Sequence, residues 1–168
     1  GALCRIEGSK QVTVNGTIVA DQVMLITEET CEISASGRLD TQSQCAITAK
    51  CLRHAGKVAA TRSPDPDIQA KIKAAIQNKQ TPPPDGDVLL IAKESIFKTG
   101  SRVQGKNTRV QGDTCEVAGV LSADENLSLE LNHRLFQYQG ASVDDHFKML
   151  SRMPKSSFNQ VQDDVLDK

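Results

Sequence analysis

The sequence predicts an all-β protein: a right-handed parallel β-helix, or β-solenoid, with coils of about 20 residues. Three observations predict it. Glycines recur at a near-constant interval: Gly16, Gly37 and Gly56 lie 21 and 19 residues apart, and Gly100, Gly119 and Gly140 lie 19 and 21 apart. A short apolar alternation recurs in the same phase to them, as in "GTIVADQVMLITE", "GRLDTQSQCAITA" and "GVLSADENLSLEL". Aromatic residues make up only 3% of the chain, with no Trp and one Tyr. The core must therefore be built from Val, Ile, Leu, Ala and Cys, which suits a narrow, stacked interior.

Residues 1–62 read as a first solenoid segment. Ile18, Ala20, Val23 and Leu25 form one inward set, and Leu39, Thr41, Cys45, Ile47 and Ala49 the next. Such short strands cannot bury an apolar face alone, because side chains alternate between faces and a lone pair of strands is marginal in water. Stacking one coil on another buries the face and pairs the backbone groups. Glycine at the corners supplies positive φ or a close approach. The competing architecture is an antiparallel sandwich. The recurring glycine-to-strand phase, without clear two-residue hairpin turns, favours the solenoid.

Residues 63–86 interrupt the pattern with a helical insertion. Asp65-Pro66-Asp67 supplies an N-cap acceptor, a proline at the first helical position and an acid near the positive end of the helix dipole. Ile68, Ile72, Ala75 and Ile76 then form one apolar stripe, expected to pack on the side of the solenoid. "TPPPDG" ends the helix and returns the chain. Ile68, Ile72 and Ile76, with Lys71 and Lys73 beside them, are also the candidate partner-binding residues.

Residues 87–143 read as a second solenoid segment that repeats the first. Thr30-Cys31-Glu32-Ile33 aligns with Thr114-Cys115-Glu116-Val117, and after one two-residue gap Gly37 aligns with Gly119. Leu39 then falls on Leu121, Cys45 on Leu127, Ile47 on Leu129 and Ala49 on Leu131, while Val23 falls on Val88. A position that accepts Leu is a packing position, so Cys45 reads as a small buried hydrophobe. Residues 144–168 lose the phase and read as a cap and tail. A short helix is expected from Asp145 to Arg152, with Phe147, Leu150 and Met153 closing the open end of the stack. The residues from Gln160 onward are polar and are expected to fray.

Several classes of function are weighed and set aside. Net charge is −1 with both signs mixed along the chain, which offers no footprint for nucleic acid. No apolar run approaches the roughly 18 residues of a membrane helix. No secretory leader is visible, and in a piece of a longer chain that says nothing about the parent. Five cysteines, an odd number, argue against a disulfide framework. Cys45, Cys51 and His54 would supply three zinc ligands, but strict alternation turns Cys45 and Cys51 inward and His54 outward. "GSRVQGKN" approaches a phosphate-binding loop but ends in Asn107, and β periodicity follows it where a helix is required. His133 and His146 are lone histidines read as solvated. Asp144-Asp145 and Asp163-Asp164 are neighbours, which on a strand point to opposite faces, so adjacency makes no glycosidase pair. Asp65, Asp67, Asp85 and Asp87 are accounted for by capping and turns. No catalytic, cofactor-binding or metal-ligating residue is assigned.

"VNGTIVADQVMLITEETCEISASGRL" and "GVLSADENLSLELNHRLFQYQGASV" resemble the repeats of filamentous-haemagglutinin-type exoproteins of two-partner secretion systems. The matching parts are Gly119, Leu121, Ala123, Leu127, Leu129 and Gly140. The resemblance implies a right-handed β-helix stalk, exported and displayed on the bacterial surface for adhesion or to carry a toxin domain. The cysteines and the Pro-rich insertion depart from that pattern and leave a cytoplasmic location open. The expectation is a non-catalytic stalk or adhesive segment, joined end to end to more coils of a larger polypeptide, with a protein or glycan receptor. One alternative is a protein-binding module or delivered effector domain that uses the insertion helix. A further alternative is a β-helix glycan hydrolase or lyase.

Overall fold

The structure is a computed structural model, and it describes residues 3–61, 65–138, 142–143 and 147–149, the last two stretches through their main chain. The chain winds into a parallel β-solenoid of about seven turns with a single helix. In chain order the elements are β1 (Leu3–Gly8), β2 (Gln11–Val14), β3 (Thr17–Thr27), β4 (Thr30–Ile33), β5 (Arg38–His54), β6 (Lys57–Ala60), α1 (Pro66–Gln77), β7 (Asp87–Phe97), β8 (Arg102–Val117), β9 (Val120–Gln137), β10 (Ser142–Val143) and β11 (Phe147–Met149).

Each full coil has three faces, because the long strands bend at corners. Residues 38–41, 44–49 and 51–54 of β5 lie on the first, second and third face in turn, and β8 and β9 divide the same way. Side chains in register form columns through the interior. On the third face one column runs Val12, Cys31, Leu52, Ser95, Cys115, Leu135. On the second, Val23, Cys45, Val88, Thr108 and Leu127 are stacked, and beside them Leu25, Ile47, Leu90, Val110 and Leu129. On the first, Leu39, Val58, Val103 and Leu121 are stacked. Nearly all of these are 0–2% exposed, and each fully buried aliphatic side chain contributes about 1.5–3 kcal/mol. The aligned inward pairs Cys31 with Cys115, Leu39 with Leu121, Cys45 with Leu127 and Ile47 with Leu129 each share a column.

Three expectations are corrected. The first concerns His54, expected outward, which is 1% exposed. Cys51, expected inward, is half-buried, and Leu52 points in instead. The cause is the corner: the amides of Lys50 and Cys51 both donate to the Glu29 carbonyl, at 2.9 and 2.8 Å. Two residues against one acceptor shift the alternation by one. The second concerns the apolar stripe of α1: Ile72 is buried, but Ile76 is 61% exposed. The third concerns the helical cap, since residues 147–149 form a parallel strand that sets Phe147 against Leu127 and Met149 against Leu129. The stack therefore continues where a cap was expected; the remainder of 144–168, including His146 and both Asp-Asp pairs, lies outside the described residues. At the insertion, β6 pairs with β5 and β8 and β7 pairs with β5 and β8, so β6 and β7 are faces of one coil and α1 projects from the corner between them.

At Gly37 and Gly56 the glycine period has a steric cause. A Cβ on Gly56 would lie 2.1 Å from the Gly37 carbonyl oxygen, and one on Gly37 would lie 2.4 Å from that of Val14. At this corner the chain of one coil passes so close to the next that only a hydrogen fits.

Candidate functional site

Three of the expected partner-binding residues line a groove between α1 and the corner that joins the first and second faces. It starts with local chemistry. The Asp65 carboxylate accepts a hydrogen bond from the Asp67 amide at 2.9 Å, and Pro66 takes the first helical position. Lys79, at φ 56°, turns the chain out of the helix, and Pro82, Pro83 and Pro84 carry it back. The return is fixed where the Gly86 amide donates to the Gln42 carbonyl at 2.8 Å.

A polar anchor holds the helix to the stack. Asp85 is 3% exposed. Its Oδ2 accepts from Gln69 Nε2 at 3.2 Å and lies 3.7 Å from Lys106 Nζ, which is also 4.0 Å from Glu125 Oε2. A carboxylate this buried requires such partners, because unpaired it would lose its hydration without return. Beside the anchor, Asn107 donates to Asp87 and Asn126 donates to Asn107, each at 2.9 Å, a side-chain ladder up the corner. Burial raises the pKa of Asp87, with the Asn107 amide and the Lys106 charge opposing.

The groove has a volume of about 780 Å³ and is open to solvent. Ile72, Lys73 and Ile76 line its helical wall, and Lys106 and Glu125 its solenoid wall. Of the expected partner-binding residues, Ile72, Ile76 and Lys73 meet here; Ile68 is half-buried, Lys71 is exposed, and neither lines the groove. Lys71, Lys73 and Lys79 have no acidic partner among the described residues. The anchor of Gln69, Asp85, Lys106 and Glu125 was not anticipated. Asp85 sits in a Pro-Asp-Gly turn, and turn chemistry alone accounted for it.

The other constellations do not assemble into a site. Residues 102–117 containing Lys106 and Asn107 are strand β8, and no helix follows the glycines. Cys45 lies in a second-face column and His54 in a third-face column, and among the described residues no group of three or more His, Cys, Asp or Glu is placed to hold a metal ion. A second, polar recess of about 390 Å³ lies at the corner of the second and third faces, where Cys51 sits with Lys50, Arg53 and Lys93. His133 is exposed. Among the described residues no helix is long and apolar enough to cross a membrane. In comparisons with protein-family models, curated proteins and solved structures, nothing matches this chain.

Proposed function

We propose that the chain is a non-catalytic stalk or adhesive segment of a larger bacterial exoprotein, one stretch of a longer solenoid. The observation that carries this reading is the unfinished state of the columns at β1. Cys4 and Ile6 are only half-buried, while Val23 and Leu25, next in the same columns, are 1% and 0% exposed. Among the described residues, β1 and β2 each pair on one side only, with β3 and β4. A further coil laid on that edge would cover Cys4 and Ile6 and satisfy the free backbone groups, as coil stacking does elsewhere in the chain. The resemblance of the repeats to filamentous-haemagglutinin-type exoproteins supports export to the cell surface and contact with a protein or glycan receptor. Antibody raised against the chain tests this on its native host. Labelling of intact cells is expected. Labelling only after permeabilisation places the chain in the cytoplasm, the compartment its five free thiols would suit.

A second reading is favoured by Ile76. An isoleucine that remains 61% exposed beside an open groove is suited to a docking helix. On this reading the solenoid is the scaffold and α1 is the binding element.

A further inference from the structure

The outside of the second face departs from the polar surface of a solvated sheet. Met24, Ala46 and Leu89 stand in register in one outward column, and Ile26, Thr48 and Ile91 in the next. Met24, Ile26, Leu89 and Ile91 are half-buried and Ala46 is 9% exposed, yet none of them belongs to the core cluster. On the first face the outward column holds Arg38, Lys57 and Arg102, as contact with water requires. A polar column of Gln44, Asp87 and Asn107 separates the apolar stripe from the α1 corner. An outward apolar patch with a polar rim marks an interaction surface. We propose that this stripe is a lateral interface at which a second copy of the chain packs face to face, with the two solenoid axes parallel.

The ends of the stripe select the partner and its orientation. Arg5 and Glu7 lie one rung below Met24 and Ile26 and form an ion pair. Arg109 lies one rung above Leu89, and Glu130, in the Ile26 column, pairs with it. Each end therefore holds a cation in the Met24 column and an anion in the Ile26 column. A two-fold axis parallel to the solenoid axis keeps the order of the rungs and exchanges the columns. Met24 then faces Ile26 of the second copy, Leu89 faces Ile91, Arg5 faces Glu7, and Arg109 lies beside Glu130. A two-fold axis along the strands reverses the rungs and sets Arg5 against Arg109, like charge against like. Charge complementarity thus favours the parallel pair.

The size of the face fits a weak contact. Six residues of a rung span about 20 Å and five rung steps about 24 Å, which gives about 500 Å² per copy. Two copies bury about 1,000 Å², at the lower limit of a specific interface and in the range of transient ones. Sheets packed in this way lie about 10 Å apart with their strands aligned, and here the strands of the two copies run in opposite directions.

Sedimentation velocity of the chain in reducing agent tests the proposal, the reductant preventing disulfides through Cys4 or Cys51. A monomer–dimer equilibrium is expected, shifting toward dimer between about 10 μM and about 1 mM. Leu89→Asp is expected to weaken the dimer about tenfold or more, with an unchanged circular dichroism spectrum. Arg5→Glu and Glu7→Arg change exposed side chains at the end of the stripe. Each alone is expected to weaken the dimer about tenfold, and an equimolar mixture of the two variants to restore it, because every charge at that end then faces its opposite. A purely structural effect of either substitution would not be rescued by mixing. The proposal is overturned if the chain stays monomeric throughout that range, or if the mixture dimerises no better than its parts. Dimers that survive Leu89→Asp would be edge-to-edge pairs at β1; they would overturn the lateral interface and leave the end-to-end stacking of a stalk standing.

Discussion

His54 donates a hydrogen bond from Nε2 to the main-chain carbonyl of Arg102 at 2.9 Å, tying the third face of one coil to the first face of a later one. The ring stacks in column between Ile33 and Phe97 and meets the Phe97 ring edge-on at 6.0 Å between centroids. Nδ1 is buried without a partner among the described residues. The carbonyl accepts only from a protonated Nε2, so the ring is neutral with its proton there, and a second proton on Nδ1 would be charged, buried and unpaired.

That geometry makes the fold acid-sensitive at one residue. Burial lowers the pKa of His54 below its ordinary 6.5, with the Arg102 carbonyl opposing. As pH falls, the unfolded chain therefore takes the proton first. The stability that His54 supports is present above about pH 6.5 and is lost as pH falls from there toward the folded value, by up to about 1.4 kcal/mol per pH unit. His54→Leu is expected to cost about 1 kcal/mol at pH 7.5, from the Arg102 carbonyl left unpaired, and to flatten the slope below pH 6.5. Urea midpoints of both proteins at pH 7.5 and 5.5 check this. Equal losses on acidification would show that His54 is not the group responsible.

Glycines of the same period are predicted to differ in sign. At Gly56 an added Cβ meets the Gly37 and Ser34 carbonyl oxygens at 2.1 and 2.5 Å, whereas at Gly16 nothing lies within 4 Å. Gly56→Ala should destabilise by about 1–3 kcal/mol or more, since backbone must move. Gly16→Ala should stabilise by about 0.4–1 kcal/mol by restricting the unfolded chain. Denaturant titration with an unchanged slope for both variants is the measurement.

The five thiols should divide into two classes. Cys31, Cys45 and Cys115 are fully buried, and burial pushes the first two up to about 12 and the third higher still. Cys4 and Cys51 are half-buried, and Cys51 lines the polar recess. A thiol-specific chromogenic reagent at pH 8 is expected to titrate two cysteines in the native protein and five in denaturant. Rapid reaction of a third before unfolding would contradict the columns.

The columns were legible in the sequence because a column imposes the same demand at each rung. Cys45 and Leu127 could be equated from spacing alone, and so could Cys31 and Cys115. The corners were not legible. Which of Cys51 and Leu52 points inward depends on two amides reaching one carbonyl, that of Glu29 in the preceding coil, and no local pattern encodes that bond. The candidate site divides the same way. The stripe of Ile72 and Ile76 follows from helical spacing, but its depth depends on where Gln69 finds Asp85, sixteen residues on. At residues 147–149 the helical spacing of Phe147 and Leu150 competed with strand pairing to Leu127 and Leu129, and the existing edge of the stack decided the outcome.

Two residues of the helical wall of the α1 groove should separate folding from docking. Ile72 is 6% exposed and Ile76 61% exposed on the same stripe. Ile72→Asp places an unpaired carboxylate in a dry site and should release the helix from the solenoid while leaving the columns intact, because Ile72 lies outside the main core cluster. Ile76→Asp should change stability by no more than about 0.5 kcal/mol. Far-ultraviolet circular dichroism reports the loss of helix in the first variant against an unchanged strand signal. A global collapse of Ile72→Asp would mean that α1 is integral to the solenoid.

Excising one coil tests whether the chain is a stack of equivalent rungs. Removal of residues 38–56, 19 residues, leaves every column in phase. Ile18 would meet Val58, Val23 would meet Val88, Cys31 would meet Ser95 and Ile33 would meet Phe97. Each interface then joins a strand to the partner of its former partner. Nearest-neighbour stability predicts that the shortened chain folds cooperatively, with a denaturant slope lower by about one part in seven, because slope follows the surface exposed on unfolding. Removal of residues 38–47 alone takes half a coil, sets polar corner residues against the Val58 and Val88 columns and should abolish the strand signal. If both deletions unfolded the protein, the coils would not be interchangeable, and the solenoid would depend on contacts particular to β5.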